Sequence, residues 1–132
     1  MPDTSREPEG LFQIPDDLPR KGLFAEPLVV SDLRAFDPEP RGDGEVRMRF
    51  RVTVKDAEGR RCPDIYVQAR IHGPERSGTG TANTNVMGVV EFRMTGPAGR
   101  YAVEVLDVAA GGLTWDRHAG PITCETTCQP RA

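Results

Sequence analysis

The strongest signal along the chain is strict alternation. From position 46 to position 55, apolar Val46, Met48, Phe50, Val52 and Val54 interleave with Arg47, Arg49, Arg51, Thr53 and Lys55. Successive side chains of a strand point to opposite faces, so this spacing predicts a strand with one face toward a core and the other toward water. "DAEGR" (56–60) supplies a turn, after which Ile65, Val67, Ala69 and Ile71 alternate again. "VVEFRM" (89–94) and "RYAVEVLDV" (100–108) predict two further strands, with "TGPAG" as the turn between them. Upstream, "PLVVSDLRAF" (27–36) reads as a first strand and "PEPRGDGE" as a turn built from Pro, Gly and Asp.

Two stretches are less regular. "HGPERSGTGTANTNVMG" (72–88) is polar and rich in Gly, Thr and Asn, and reads as a long loop or a weak edge strand. After the break "AAGG", "LTW" and "PITCETTC" supply the last strand, with an irregular segment over 116–120. No window carries a helical period. Short strands at regular turn spacing predict an all-β fold, an antiparallel β-sandwich. The 132 residues, 37% of them hydrophobic, suffice for one core.

Seven of the 12 prolines fall in the first 40 residues, where they prevent long helices and favour extended chain. The expected organisation is therefore a proline-rich extended arm over residues 1–26, followed by the sandwich over 27–132. The arm carries Leu11, Phe12, Ile14, Leu18, Leu23 and Phe24. A plain solvated tail does not need them, so they are candidates for docking on a neighbouring subunit or on the arm's own domain.

Charge sharpens this division. The formal net charge is -3, but residues 1–45 hold 5 basic and 11 acidic residues, leaving 12 and 9 for the rest. Nothing at the level of the whole chain points to nucleic acid. Arg47, Arg49 and Arg51 project from one strand face, roughly 7 Å apart, and form a weak candidate site for phosphates or carboxylates. No aromatic residue interleaves with them in sequence, which disfavours single-stranded nucleic acid; a solvated face, or pairing with the acidic arm or a neighbour, explains them. The first 20 residues have no basic start followed by an apolar run, and no stretch approaches the roughly 20 apolar residues of a membrane span.

Candidate chemistry is sparse. Of three cysteines, at most two can pair internally. Four residues of extended strand would hold Cys124 and Cys128 roughly 13 Å apart, so they bridge only if "CETTC" turns; Cys62 with Cys124 is the better pair if the two termini of the sandwich meet there. Cys62, Cys124, Cys128, His72 and His118 lack the spacing of a zinc knuckle, and no nucleophile sits on a helix terminus or elbow. The expectation is no enzyme, no metal and no cofactor. "RGD" at 41–43 is explained by a strand-connecting turn. Asn83, Thr84 and Asn85 are weak candidates for contacts to surface glycans, and Trp115 is expected in the core or at its rim.

Three segments taken together carry a resemblance. "VTVKDAEGRRCPDIYVQARI", "TNVMGVVEF" and "GRYAVEVLDV" resemble, in order, the V-x-V-x-D-x-x-G-x…V, T-[DN]-x-x-G-x-V-x-F and G-x-Y-x-V elements of bacterial immunoglobulin-like repeats of the invasin and intimin kind. The similarity spans roughly residues 46 to 108; "RRCPD" and the tail "GLTWDRHAGPITCETTC" depart from the pattern. The resemblance implies an antiparallel Ig-like β-sandwich used as spacer, adhesin segment or decoration, without catalytic residues. Within it, Asp56 is expected to bond inside its own turn, Gly59 to take a positive φ, Gly88 to admit the next strand, and Tyr101 to bury its ring as a tyrosine-corner-like residue.

The functional expectation is a non-catalytic module held in a larger assembly by its arm. Its most concrete setting is a phage virion surface, as a capsid decoration or tail-associated protein, in keeping with an initiating Met and no export signal. The alternative is a secreted or cell-surface spacer, adhesin or carbohydrate-binding module excised from a longer protein.

Overall fold

The computed structural model describes residues 24–128, and these contain strands but no helix. The strands are β1 (Val29–Ala35), β2 (Glu39–Gly42), β3 (Glu45–Lys55), β4 (Tyr66–His72), β5 (Ser77–Asn83), β6 (Val89–Pro97), β7 (Gly99–Ala109) and β8 (Thr123–Cys128). They form two antiparallel sheets. In the first, β3 is central, with β1 and β2 end to end along one edge and β6 along the other. The second has the order β5-β4-β7-β8.

The alternation read from the sequence decides how the sheets face each other. Met48, Phe50, Val52 and Val54 of β3, with Val90 and Phe92 of β6, turn inward against Val67, Ala69 and Ile71 of β4 and Tyr101, Val103 and Val105 of β7. One shared core results, in a β-sandwich-like arrangement, and each fully buried large aliphatic or aromatic side chain contributes about 2 kcal/mol. Trp115 lies at the core rim, its ring half-buried and its Nε1 enclosed without a hydrogen-bond partner.

One local reading needs correction, and two gain detail. The segment taken wholly as a turn, 38–45, contains β2, which pairs with the start of β3 through a tip where Gly42, Asp43 and Gly44 all have positive φ. Of the two readings of the polar 72–88 stretch, the edge strand holds: β5 spans seven residues, and its inward positions are Gly78, Gly80 and Ala82, so its apolar period is faint. In β7 the buried positions shift from Tyr101, Val103 and Val105 to Val108, because the β4–β7 register slips between Gln68 and Ala69. Such an irregularity reverses which face each later residue occupies.

Tight approaches fix the connections. Gly88 has a φ of 75°, and a Cβ there would sit 2.9 Å from the Cys62 nitrogen and 3.0 Å from the Val54 oxygen, so no other residue fits. Tyr101 is fully buried and donates its hydroxyl to the Pro97 carbonyl at 2.7 Å, four residues upstream.

Candidate functional site

The arginine face has more structure than its sequence suggested. Arg49 Nε lies 3.0 Å from Glu39 Oε2, an ion-pair distance off the line of its N–H bond, and its Nη1 lies 3.5 Å from Glu91 Oε2. Glu91 in turn binds Arg93 Nε at 3.0 Å. Phe36, from the β1–β2 connection, places its ring between two guanidiniums, 4.8 Å from Arg49 and 4.7 Å from Arg51. An aromatic therefore does interleave with these arginines, brought in from a different strand connection. The result is a basic face in which Arg49 is paired with Glu39 and Glu91 and Arg51 lies against the Phe36 ring, with Arg47 and Arg93 toward the β6 side.

Beside that face the sandwich is open. β5 ends one sheet and β6 ends the other, and between them runs a groove of about 440 Å³ floored by Ile71, Phe92 and Met94 and flanked by Arg47, Arg76 and Arg93. Gly78 and Gly80 create the space: Cβ atoms there would lie 3.3 Å from Met94 Cε and 3.5 Å from Phe92 Cδ1. Backbone direction matters equally. Arg49 gives its carbonyl to Phe36 on the β1 side, so Arg93, which pairs with Arg49, turns its N–H and C=O away from β3. By the period of two, Glu91 does the same, and the Thr95 carbonyl accepts from Arg76 at 2.9 Å on that side. On β5, Arg76 bonds inward to Gly73, so Thr79 and Thr81 face outward. Two rows of outward backbone groups thus border one apolar groove. The G-T-G-T alternation at 78–81 was the available sequence signal.

At one end of the sandwich, Asp56 gathers donors. Its Oδ1 accepts from the backbone N–H groups of Glu58 and Arg60, both at 2.9 Å, and its Oδ2 accepts from Ala25 at 3.0 Å and from Arg60 Nε at 2.9 Å. Burial pushes the carboxyl up, but the bonds from Ala25, Arg60 and Glu58 outweigh it and hold it below the ordinary carboxylate range. The same turn carries Gly59 with a φ of 86°. Ala25 also accepts from the Ala57 N–H at 2.9 Å, and Glu26 Oε1 accepts from the Thr114 N–H and hydroxyl at 3.1 and 3.0 Å. Phe24 packs against the core. Ala25 and Glu26 are therefore bonded into the domain ahead of the expected boundary at 26/27; the other arm candidates, Leu11, Phe12, Ile14, Leu18 and Leu23, lie outside the described residues.

The remaining candidates are engaged internally. Thr84 is buried, donates its hydroxyl to the Cys62 carbonyl at 2.6 Å and accepts from the Ile65 N–H at 2.9 Å. Asn83 donates to Asp64 at 2.8 Å, and Asn85 Oδ1 caps the Met87 and Val89 N–H groups. These three residues tie the β5–β6 connection together, and they leave Val86 and Met87 exposed at its tip. Cys62 and Cys124 are not joined to each other, so the expected Cys62–Cys124 bridge is not formed. Cys62 lies at the end of the sandwich where Tyr66 pairs with Ala109, whereas Cys124 pairs with Val103, six residues along β7 and roughly 20 Å away. Burial first, then the Asp56 charge, against a smaller opposing pull from Arg60, pushes the Cys62 thiol up to about 11. His72 bonds Ser77 Oγ at 3.0 Å, and among the described residues no three His, Cys, Asp or Glu side chains are gathered to hold a metal. No helix among them is long and apolar enough to cross a membrane.

Comparison of the chain with protein-family models, with curated proteins and with solved structures finds no match.

Proposed function

We propose that the chain is a non-catalytic Ig-like interaction module tied to a larger assembly by its N-terminal arm, most concretely at a virion surface as a capsid decoration or tail-associated protein. The strand order β1-β3-β6 facing β5-β4-β7-β8, with a buried tyrosine bonded to backbone upstream of it, supports the Ig-like part of the reading. The observation that carries the arm is its fixed point of departure: Phe24, Ala25 and Glu26 are held by the core, Asp56 and Thr114. A segment leaving a rigid domain from a fixed point, with apolar residues spaced between prolines, is suited to seat a partner surface in a defined geometry.

Truncation tests it. A chain lacking residues 1–23 should melt cooperatively and no longer co-sediment with particles or envelopes from its source. Removing residues 24–26 as well should lower stability, since the bonds at Asp56 and Thr114 go with them. Unchanged co-sedimentation after loss of residues 1–23 sinks the arm reading.

A further inference from the structure

We propose that the groove between β5 and β6 is the docking site of the chain's own arm, with residues 10–14 of the same copy adding as a strand to the outer edge of β6. The proposal rests on the reading of residues 1–23 as a docking arm; it assigns Phe12 and Ile14 to the arm's own domain and leaves Leu11, Leu18 and Leu23 for the assembly.

Shape, charge and reach all point to this occupant. Glu91 and Arg93 turn their backbone groups away from β3 along the edge that borders the groove, and an extended peptide adds to such an edge through main-chain hydrogen bonds while alternate side chains fill the pocket. In "GLFQI" (10–14), Phe12 and Ile14 share one face. That face meets Phe92 and Met94 across the space left by Gly78 and Gly80. Residues 7–18 hold Glu7, Glu9, Asp16 and Asp17 and no basic residue, against Arg47, Arg76 and Arg93 at the groove.

The described chain begins at Phe24, beside the Asp56 end of β3. Phe92 pairs with Phe50, six residues from Asp56, or roughly 20 Å along the strand. Ten residue steps from Ile14 to Phe24 reach up to roughly 35 Å when extended, the conformation that Pro15 and Pro19 favour. A chain running from Ile14 toward Phe24 heads for the Asp56 end, opposite to β6, so the added pair is antiparallel. Tethering favours this copy over a neighbour through effective concentration. Unpaired edges are a hazard that natural sheets cover, and this occupant covers one.

Amide hydrogen exchange on the full chain, read by NMR at several dilute concentrations, tests the proposal. The Glu91 and Arg93 amides should exchange at least about 100-fold slower than in an unstructured peptide, independent of concentration. Ile14→Asp and Gly80→Val should each remove at least about tenfold of that protection while Val52, inside the β3–β6 ladder, stays protected and reports an intact fold. Free exchange of Glu91 and Arg93 in the full chain overturns the proposal, as does protection that grows with concentration, which would place a second copy's arm in the groove. The two readings separate cleanly: unprotected edge amides in a chain that joins its assembly through its arm defeat the groove alone, whereas protected edge amides in the full chain, with unchanged co-sedimentation after loss of residues 1–23, defeat the assembly role of the arm alone.

Discussion

At the Asp56 turn, three backbone N–H groups and the Arg60 side chain converge on one buried carboxylate, while along the β5–β6 side the backbone groups of Thr79, Thr81, Glu91 and Arg93 face outward over an apolar floor. Both regions are rich in polar groups. At the turn they point inward and hold the fold; at the open side they point outward and offer pairing to something else. Direction, more than composition, separates a structural tie from a candidate site.

Substitutions can break or sharpen that contrast. The largest effect is expected from Asp56→Ala, which strands several buried donors and should cost about 3 kcal/mol in urea unfolding at pH 7. Acid should act on the same residue. Asp56 has a folded-state pKa below its unfolded value near 4, so its contribution is fully present above that value and is lost as pH falls through the folded one. Urea midpoints measured from pH 7 down to 3 should therefore fall less steeply in Asp56→Asn, and an identical slope would mean the turn is not the acid-sensitive element.

Next in size is Gly88→Ala, expected to cost about 2 kcal/mol because the new Cβ meets the Cys62 nitrogen and the Val54 oxygen at a positive φ. Tyr101→Phe should cost about 1 kcal/mol through the lost bond to Pro97, measured as a shift in the thermal midpoint. At the open side the sign should reverse. In a chain lacking residues 1–23, where no arm is there to be displaced, Gly80→Val puts a Cβ at ordinary contact distance from Phe92 and a β-branched residue in a strand, so a small gain of about 0.5 kcal/mol is expected. A loss at that position would show the groove to be a packed element of the core, and the contrast between the two regions would fail.

What could be read in advance follows the range of the interaction. Strands β3, β4 and β6 and the first half of β7 announce themselves because their apolar period is local. So does the Asp56 turn, since its main partners lie two and four residues away. Beyond that range the sequence is silent. Phe36 reaches the arginines only because the β1–β2 connection folds over β3, and Thr84 is buried only because Cys62 and Ile65 come to it from 19 to 22 residues away. β5 is legible only as a weak alternative to a loop for another reason: the glycines that open the groove are the residues that erase its hydrophobic signal. The second proline of "PEPRG" similarly disguises β2, a short edge strand where proline is tolerated.

The shifted thiol of Cys62 gives the protein a built-in clock. Held protonated at neutral pH and enclosed beside the Asp56 turn, it has neither the thiolate nor the access that an alkylating reagent needs. Its labelling must wait for that end of the sandwich to open, so the labelling rate at pH 8 reports the opening free energy of one native turn without any introduced probe.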